Sequence, residues 1–142
     1  MFSPTHYLAL VQSRAYRALR QKVSIALDSF NVSMGEWTLL GQLNETKGLR
    51  LSEVASTLGV EAPLVTNAVK ALHAKGFVAL EVDSRDTRAK LLTLTKQGEK
   101  MLRPIEEAVR AALQPLLKGV SAKENQIYFK VLQRIVQNSS GL

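Results

Sequence analysis

From Thr5 to about Phe30, apolar residues recur at Leu8, Val11, Ala15, Leu19, Ala26 and Phe30, while Arg14, Arg17 and Arg20 fall between them. That spacing predicts one long amphipathic helix. Ser33 and Glu36 then form a Ser-x-x-Glu pair, in which hydroxyl and carboxylate satisfy two orphan amide donors, so a second helix over about 34–45 should bury Trp37 and Leu40. Beyond Lys47-Gly48, Ser52 is placed to cap a short helix carrying Val54 and Leu58 and stopping at Gly59. Pro63 suits the first turn of the next helix, where a missing amide costs nothing, and that helix runs to Lys75 and ends on Gly76.

The period then changes. Val78, Leu80 and Val82 alternate with Phe77, Ala79 and Glu81, and residues 89–94 are again apolar and β-prone, which predicts a two-stranded ribbon. Its junction is DSRDTRAK, residues 83–90, where five charges of both signs stand in eight residues. Thr95 offers a cap for a further helix with the stripe Leu102, Ile105, Val109, Leu113 and Leu116, and Pro104 predicts a kink or boundary inside it. A second Ser-x-x-Glu pair, Ser121 and Glu124, opens a last helix to about Asn138. Ile127, Val131 and Ile135 lie on one side of that helix and Phe129, Leu132 and Val136 on the other, so it calls for burial on two faces.

These elements predict a mainly α chain with a small β-hairpin, an α+β arrangement in one domain over residues 1–142. Two short helices joined by Gly59-Val60-Glu61-Ala62 and followed by a ribbon with a basic tip describe a winged helix-turn-helix, with its core over about 33–95 and flanking helices over about 5–30 and 96–138. A helix fits the major groove of duplex DNA, and a narrow ribbon can place an arginine in the adjacent minor groove.

Charge agrees with that partner. The 142 residues carry 19 Lys and Arg against 12 Asp and Glu, a net +7, which favours a polyanion. Hydrophobic residues at 46% and charged residues at 22% are ordinary for a folded chain. The absence of cysteine removes disulfides, thiol catalysis and thiol-based redox sensing. No long apolar run and no cationic leader stand at the start, so a cytoplasmic location without membrane insertion is expected.

The helix after Pro63 can be oriented by its own period. With Val65, Val69 and Leu72 inward, about 100° per residue turns Pro63, Asn67, Lys70 and Ala74 outward, with Thr66 at the edge. Asn67 can pair with adenine, Lys70 can reach guanine or phosphate, and Thr66 can hold a phosphate or a thymine methyl. Ala62 and Pro63 permit close approach.

Residues 51–98 closely resemble the winged-helix core of the multiple antibiotic resistance regulator (MarR) family. The matching features are the Leu58-Gly-Val60 turn, Val65-Thr66, Leu72 followed by Lys75-Gly-Phe-Val78, the Asp86-Thr-Arg88 wing, and Leu94-Thr95 with Gly98. The resemblance extends over the whole chain, because the family also has a long first helix and two closing helices that pair across a homodimer. It implies a transcriptional regulator, expected to be a repressor, that binds a pseudo-palindromic duplex with one recognition helix per half-site. Arg88 falls on the family's minor-groove arginine and Asp86 on the acidic residue that steadies it; Lys90 is a candidate phosphate contact. Arg85 stands where the family often has proline or an acidic residue, so a second DNA probe and a solvated neighbour both stay open. A bare surface ion pair at Asp86 and Arg88 would contribute ~0–1 kcal/mol, but its place at a hairpin tip beside a helix-turn-helix favours the DNA role.

The family also implies a small aromatic effector between the dimer helices and the winged domain, for which Phe30, Met34, Trp37 and Met101 are the candidates. No cofactor and no metal are expected: His6 and His73 stand alone, without an HExxH pairing. An enzyme is not expected, since neither a Gly-rich phosphate loop nor a GxSxG motif is present. The competing reading is a winged helix that binds protein or RNA, although single-strand RNA readers usually carry stacking aromatics and residues 61–90 contain only Phe77.

Overall fold

The computed structural model describes residues 5–140, so the two ends of the expected domain lie outside the described residues. Helix α1 spans Thr5–Asp28 and α2 spans Met34–Thr46. The Ser33 hydroxyl accepts the Glu36 N–H at 3.1 Å, as the motif predicts, but the Glu36 carboxylate turns away and takes the Lys75 ammonium at 2.6 Å. Half of the expected reciprocal cap is therefore diverted to a tertiary contact. Lys47 closes α2 in the left-handed region at φ 57°.

The next segment departs from expectation. A two-residue strand, β1 (Leu49–Arg50), precedes a 3-10 turn over Leu51–Glu53, and only then comes α3 (Val54–Leu58). Ser52 lies inside the 3-10 turn and caps nothing, because that turn starts from Arg50 without a side-chain cap. Helix α3 does stop at Gly59, whose φ of 66° suits a residue without a β-carbon. Helix α4 covers Ala62–Ala74 with Pro63 in its first turn, and Gly76 at φ 78° turns the chain out of it.

Strands β2 (Val78–Asp83) and β3 (Asp86–Leu94) form the hairpin, and β1 adds a third antiparallel strand on the outer side of β3, in the order β1-β3-β2. Both hairpin strands reach further into the charged stretch than the apolar runs suggest. The tip proper is Ser84-Arg85, and Asp86-Thr-Arg88 belongs to β3.

Helix α5 (Lys96–Leu113) is capped by the Thr95 hydroxyl, which accepts the Gly98 N–H at 3.1 Å. It continues through Pro104 with no boundary there, and a 3-10 turn at Gln114–Leu117 ends it instead. A β-carbon at Gly98 would lie 2.2 Å from the Phe77 carbonyl oxygen, so only glycine lets α5 start this close to the end of the helix-turn-helix. Helix α6 (Ala122–Ser140) opens with a full reciprocal cap: Ser121 N–H donates to Glu124 Oε1 at 3.0 Å and Glu124 N–H donates to the Ser121 hydroxyl at 3.1 Å. Those bonds, the Ser121 N–H first, hold the Glu124 carboxyl below the usual carboxylate range.

Two apolar clusters hold the chain together. One joins Leu39, Leu40 and Leu43 of α2, Val54 of α3, Val65, Val69 and Leu72 of α4, and Phe77, Val78 and Leu92 around the hairpin. The other joins Val23 and Leu27 of α1, Val32, and Ile105 and Val109 of α5. Met101 packs against both. In α1 the buried pair is therefore Val23 and Leu27, whereas Leu8 and Val11 of the expected stripe are exposed. Helix α6 buries none of its described side chains, and Ile127, Phe129, Val131, Ile135 and Val136 all face outward from this chain. Among the described residues no helix is long and apolar enough to cross a membrane.

Candidate nucleic-acid interface

Helix α4 is seated by Val65, Val69 and Leu72, all buried, so its rotation about its axis is fixed by the core. The opposite face carries Pro63, Thr66, Asn67 and Lys70, each exposed, as the period predicts. The Thr66 hydroxyl donates to the Ala62 carbonyl at 3.1 Å, which leaves its methyl group and oxygen lone pairs available outward. Leu64, 60% exposed, is an apolar side chain on this helix that periodicity passed over. Together with Asn67, Ala68 and Ala71 it forms one wall of a cleft of about 570 Å³, whose other walls include Arg20 of α1 and Ser33, Met34 and Glu36 at the start of α2.

The wing is organised by a carboxylate that the sequence does not single out. Asp83 ends β2 and is 2% exposed. Its Oδ2 accepts Arg50 Nε at 2.9 Å, its Oδ1 accepts the Arg85 backbone N–H at 2.9 Å, and the Arg85 guanidinium lies 3.5 Å from the same oxygen. The backbone N–H of Arg85 and then the Arg50 guanidinium hold the Asp83 carboxyl below the usual carboxylate range, against the opposing effect of burial. Arg50 is pushed up in turn, chiefly by its hydrogen bond to Asp83. Asp83 thus pins the hairpin tip to β1. Among eight mostly charged residues nothing marks it as the buried one; its signal is the partner at Arg50, which only the third strand brings near.

Pairing shifts register beside this clasp. Val82 faces Lys90 while Asp83 faces Asp86, so residues 87–89 bulge between these two pairs. Arg88 sits in that bulge and its side chain is 92% exposed. Asp86 Oδ1 accepts the Arg88 backbone N–H at 3.1 Å and lies 3.4 Å from Arg88 Nε, so it orients both the turn and the guanidinium. Lys90 is exposed below it on the same strand. Arg85, 78% exposed, stands apart from this pair and leans on Asp83 instead. The structure therefore brings Arg85, Asp86, Arg88 and Lys90 together in the wing and Pro63, Thr66, Asn67 and Lys70 along one helix face.

The four effector candidates also converge. Phe30, Met34, Trp37 and Met101 are half-buried against the Val23, Leu27, Ile105 and Val109 cluster, and Trp37 Nε1 donates to Glu106 Oε1 at 3.0 Å across to α5. Of these, Met34 lines the cleft beside α4.

The Asp83 clasp gives a pH prediction. Because the folded-state carboxyl is more acidic than the unfolded one, near 3.9, its contribution to stability is present above that value and is lost as pH falls through the folded value. Asp83→Asn should lower the melting temperature at pH 7, and the gap from wild type should shrink by pH 3. A gap of equal size at both pH values would show that charge at Asp83 contributes nothing.

A helix-turn-helix with its second helix polar outward, followed by a ribbon that projects an arginine, defines a winged-helix protein. Residues 30–89 match the model of the MarR family. The chain is 26% identical over 125 residues to YwoH of Bacillus subtilis, an uncharacterized HTH-type transcriptional regulator, covering 88% of this chain and 90% of that one. A MarR-family regulator from Rhodococcus sp. RHA1 superposes with a TM-score of 0.83 at 21% identity, covering 95% of this chain and 96% of the other. CouR of Rhodococcus jostii RHA1, solved with p-coumaroyl-CoA bound, does so with a TM-score of 0.82 at 23% identity, covering 90% of each chain. These two superpositions establish the fold. In its winged-helix core the chain is similar to the MarR family, and over most of its length to an HTH-type transcriptional regulator.

Proposed function

We propose that this chain is a sequence-specific binder of double-stranded DNA that acts as a homodimer on a pseudo-palindromic operator and represses transcription from it. The observation that carries the reading is the joint presentation of Asn67 and Lys70 on a core-locked helix and of Arg88 on a bulged wing tip. The helix supplies donors and acceptors at the level of base edges, and the wing supplies a cation for the narrower groove. The net charge of +7 adds the sequence-independent attraction to phosphates.

Dimerisation is supported by the unspent apolar surface. Helix α6, the first half of α1 and the turn after α5 leave Leu8, Val11, Leu116, Val120 and Tyr128 around a groove of about 520 Å³. A helix apolar on two sides and buried on neither is stable when a second copy covers it. In this reading residues 5–28 and 96–140 are the dimer-forming parts of a single domain, with the winged helix between them. A small aromatic effector held at the Phe30, Met34, Trp37 and Met101 cluster would release the operator by shifting the population of dimers whose recognition helices match the half-site spacing.

Selection of bound sites from random duplex DNA tests the reading. Recovery of an inverted repeat with half-site centres about one helical turn apart is expected; recovery of unrelated sequences contradicts it. Once the site is known, Asn67→Ala should cost ~1–3 kcal/mol on the selected duplex and relax preference at one base pair per half-site. An equal loss on every sequence tested by anisotropy titration would assign Asn67 to the phosphates instead.

A further inference from the structure

The recognition helix is anchored at its C-terminal end to the parts of the chain that lead into the dimer helices. Lys75 is the residue that ends α4. Its ammonium donates to the Asn31 carbonyl, in the connection between α1 and α2, and to Glu36 Oε2 at 2.6 Å in the first turn of α2. Asn31 holds a left-handed conformation at φ 53°, which a non-glycine residue seldom adopts, so the connection that offers this carbonyl is tightly bent. Glu36 gives up its usual capping bond to serve the same ammonium. Both side chains are largely covered, at 27% and 12% exposure, so solvent weakens this pair less than it would a surface pair.

A second tie lies one residue further on. The Thr95 hydroxyl donates to the Gly76 carbonyl at 2.6 Å and accepts the N–H of Gly98, and Thr95 N–H donates to the Phe77 carbonyl at 3.1 Å, so the start of α5 is fastened to the end of α4. The last turn of α4 is therefore held between the end of α1 on one side and the start of α5 on the other. The remainder of α4 is held by apolar contacts of Val65, Val69 and Leu72, which set its depth and rotation but have no directional bond to the dimer helices.

We propose that Lys75 is a positioning residue for DNA recognition: through Asn31 and Glu36 it fixes the angle of α4 relative to α1, and so sets the distance between the two recognition helices of a dimer. This inference rests on the dimeric operator reading above. It places the specificity for half-site spacing in a residue on the inner side of the helix that touches no DNA. The long stem of lysine matters because it spans from the end of α4 to two acceptors on different segments, which a methionine of similar length would reach without bonding.

The experiment uses the full chain and a duplex library in which the selected half-site is repeated with spacers of graded length. Wild type, Lys75→Met, Lys75→Arg and Glu36→Gln are titrated against it, and circular dichroism confirms that each is folded. Wild type should prefer one spacing. Lys75→Met should lose about tenfold in affinity at that spacing, a typical size for a coupling between distant parts, and bind other spacings as well as or better than wild type. Glu36→Gln should shift the same preference by less, and Lys75→Arg should restore it. Uniform weakening across all spacers, or an unchanged profile in both Lys75→Met and Glu36→Gln, would overturn the positioning role while leaving operator binding intact. A wild type without any spacing preference would overturn the dimeric reading and this inference together.

Discussion

Replacing Arg88 by alanine should cost ~1–3 kcal/mol per half-site in DNA affinity, the range for loss of one well-placed contact. With two wings on a dimer the loss is ~2–6 kcal/mol, roughly 30-fold or more on the selected duplex. The fold should be untouched, because the Arg88 side chain is almost fully exposed and its 3.4 Å pair with Asp86 is of a kind that contributes little to stability. The bulge at residues 87–89 leaves the side chain in solvent, and Asp86 orients it there. Arg85→Ala should cost less, since Arg85 is drawn back toward Asp83. Parallel gel-shift titrations of the two variants rank them, and an Arg88 variant with wild-type affinity and a native circular dichroism spectrum would remove the wing from the account.

Leu72→Ala should destabilise the protein by ~2–5 kcal/mol, the range for truncating a fully buried leucine that leaves a cavity. Leu72 is 0% exposed and lies in the cluster with Leu39, Leu40, Leu43 and Val54, at the point where α4 rests on α2 and α3. Against a total stability of ~5–15 kcal/mol that loss is a large fraction, so the unfolding midpoint in urea should fall sharply. Leu64→Ala, on the same helix but exposed, should move it by no more than ~0.5 kcal/mol. The contrast tests the rotation of α4 directly: similar effects at both positions would mean that the helix presents a different face.

Much of this architecture is legible in the sequence because local signals agree with the final packing. Thr95 and Ser121 cap the helices they precede, and the period of α4 separates Val65, Val69 and Leu72 from Asn67 and Lys70. The failures have physical causes. Strand β1 is two residues long and has no alternation to detect; it exists because Leu49 and Arg50 pair with Leu92 and Leu91. The Ser52 cap is pre-empted because the chain leaves that strand directly into a 3-10 turn. Within the wing, the opposed charges of residues 83–90 look equivalent in one dimension, and only folding separates the buried Asp83, clasped by Arg50, from the exposed Arg88. In α1 the stripe through Leu8 and Val11, both exposed, passes over Val23 and Leu27, which are the residues that pack within this chain, because periodicity alone does not say which part of a long apolar pattern meets the core. The half cap at Glu36 is a further case, since a distant lysine competes for the carboxylate.

The face formed by α4 and the wing is proposed to read duplex DNA by sequence. Its most direct test is the affinity of the full chain for the selected duplex and for a scrambled duplex of equal length, measured across a series of salt concentrations. Both affinities should fall steeply with salt, as phosphate contacts by the lysines and arginines require. The selected duplex should stay at least ~10³-fold tighter throughout, the lower end expected of specific over non-specific binding. Equal affinity for the two duplexes, or binding indifferent to salt, would contradict it.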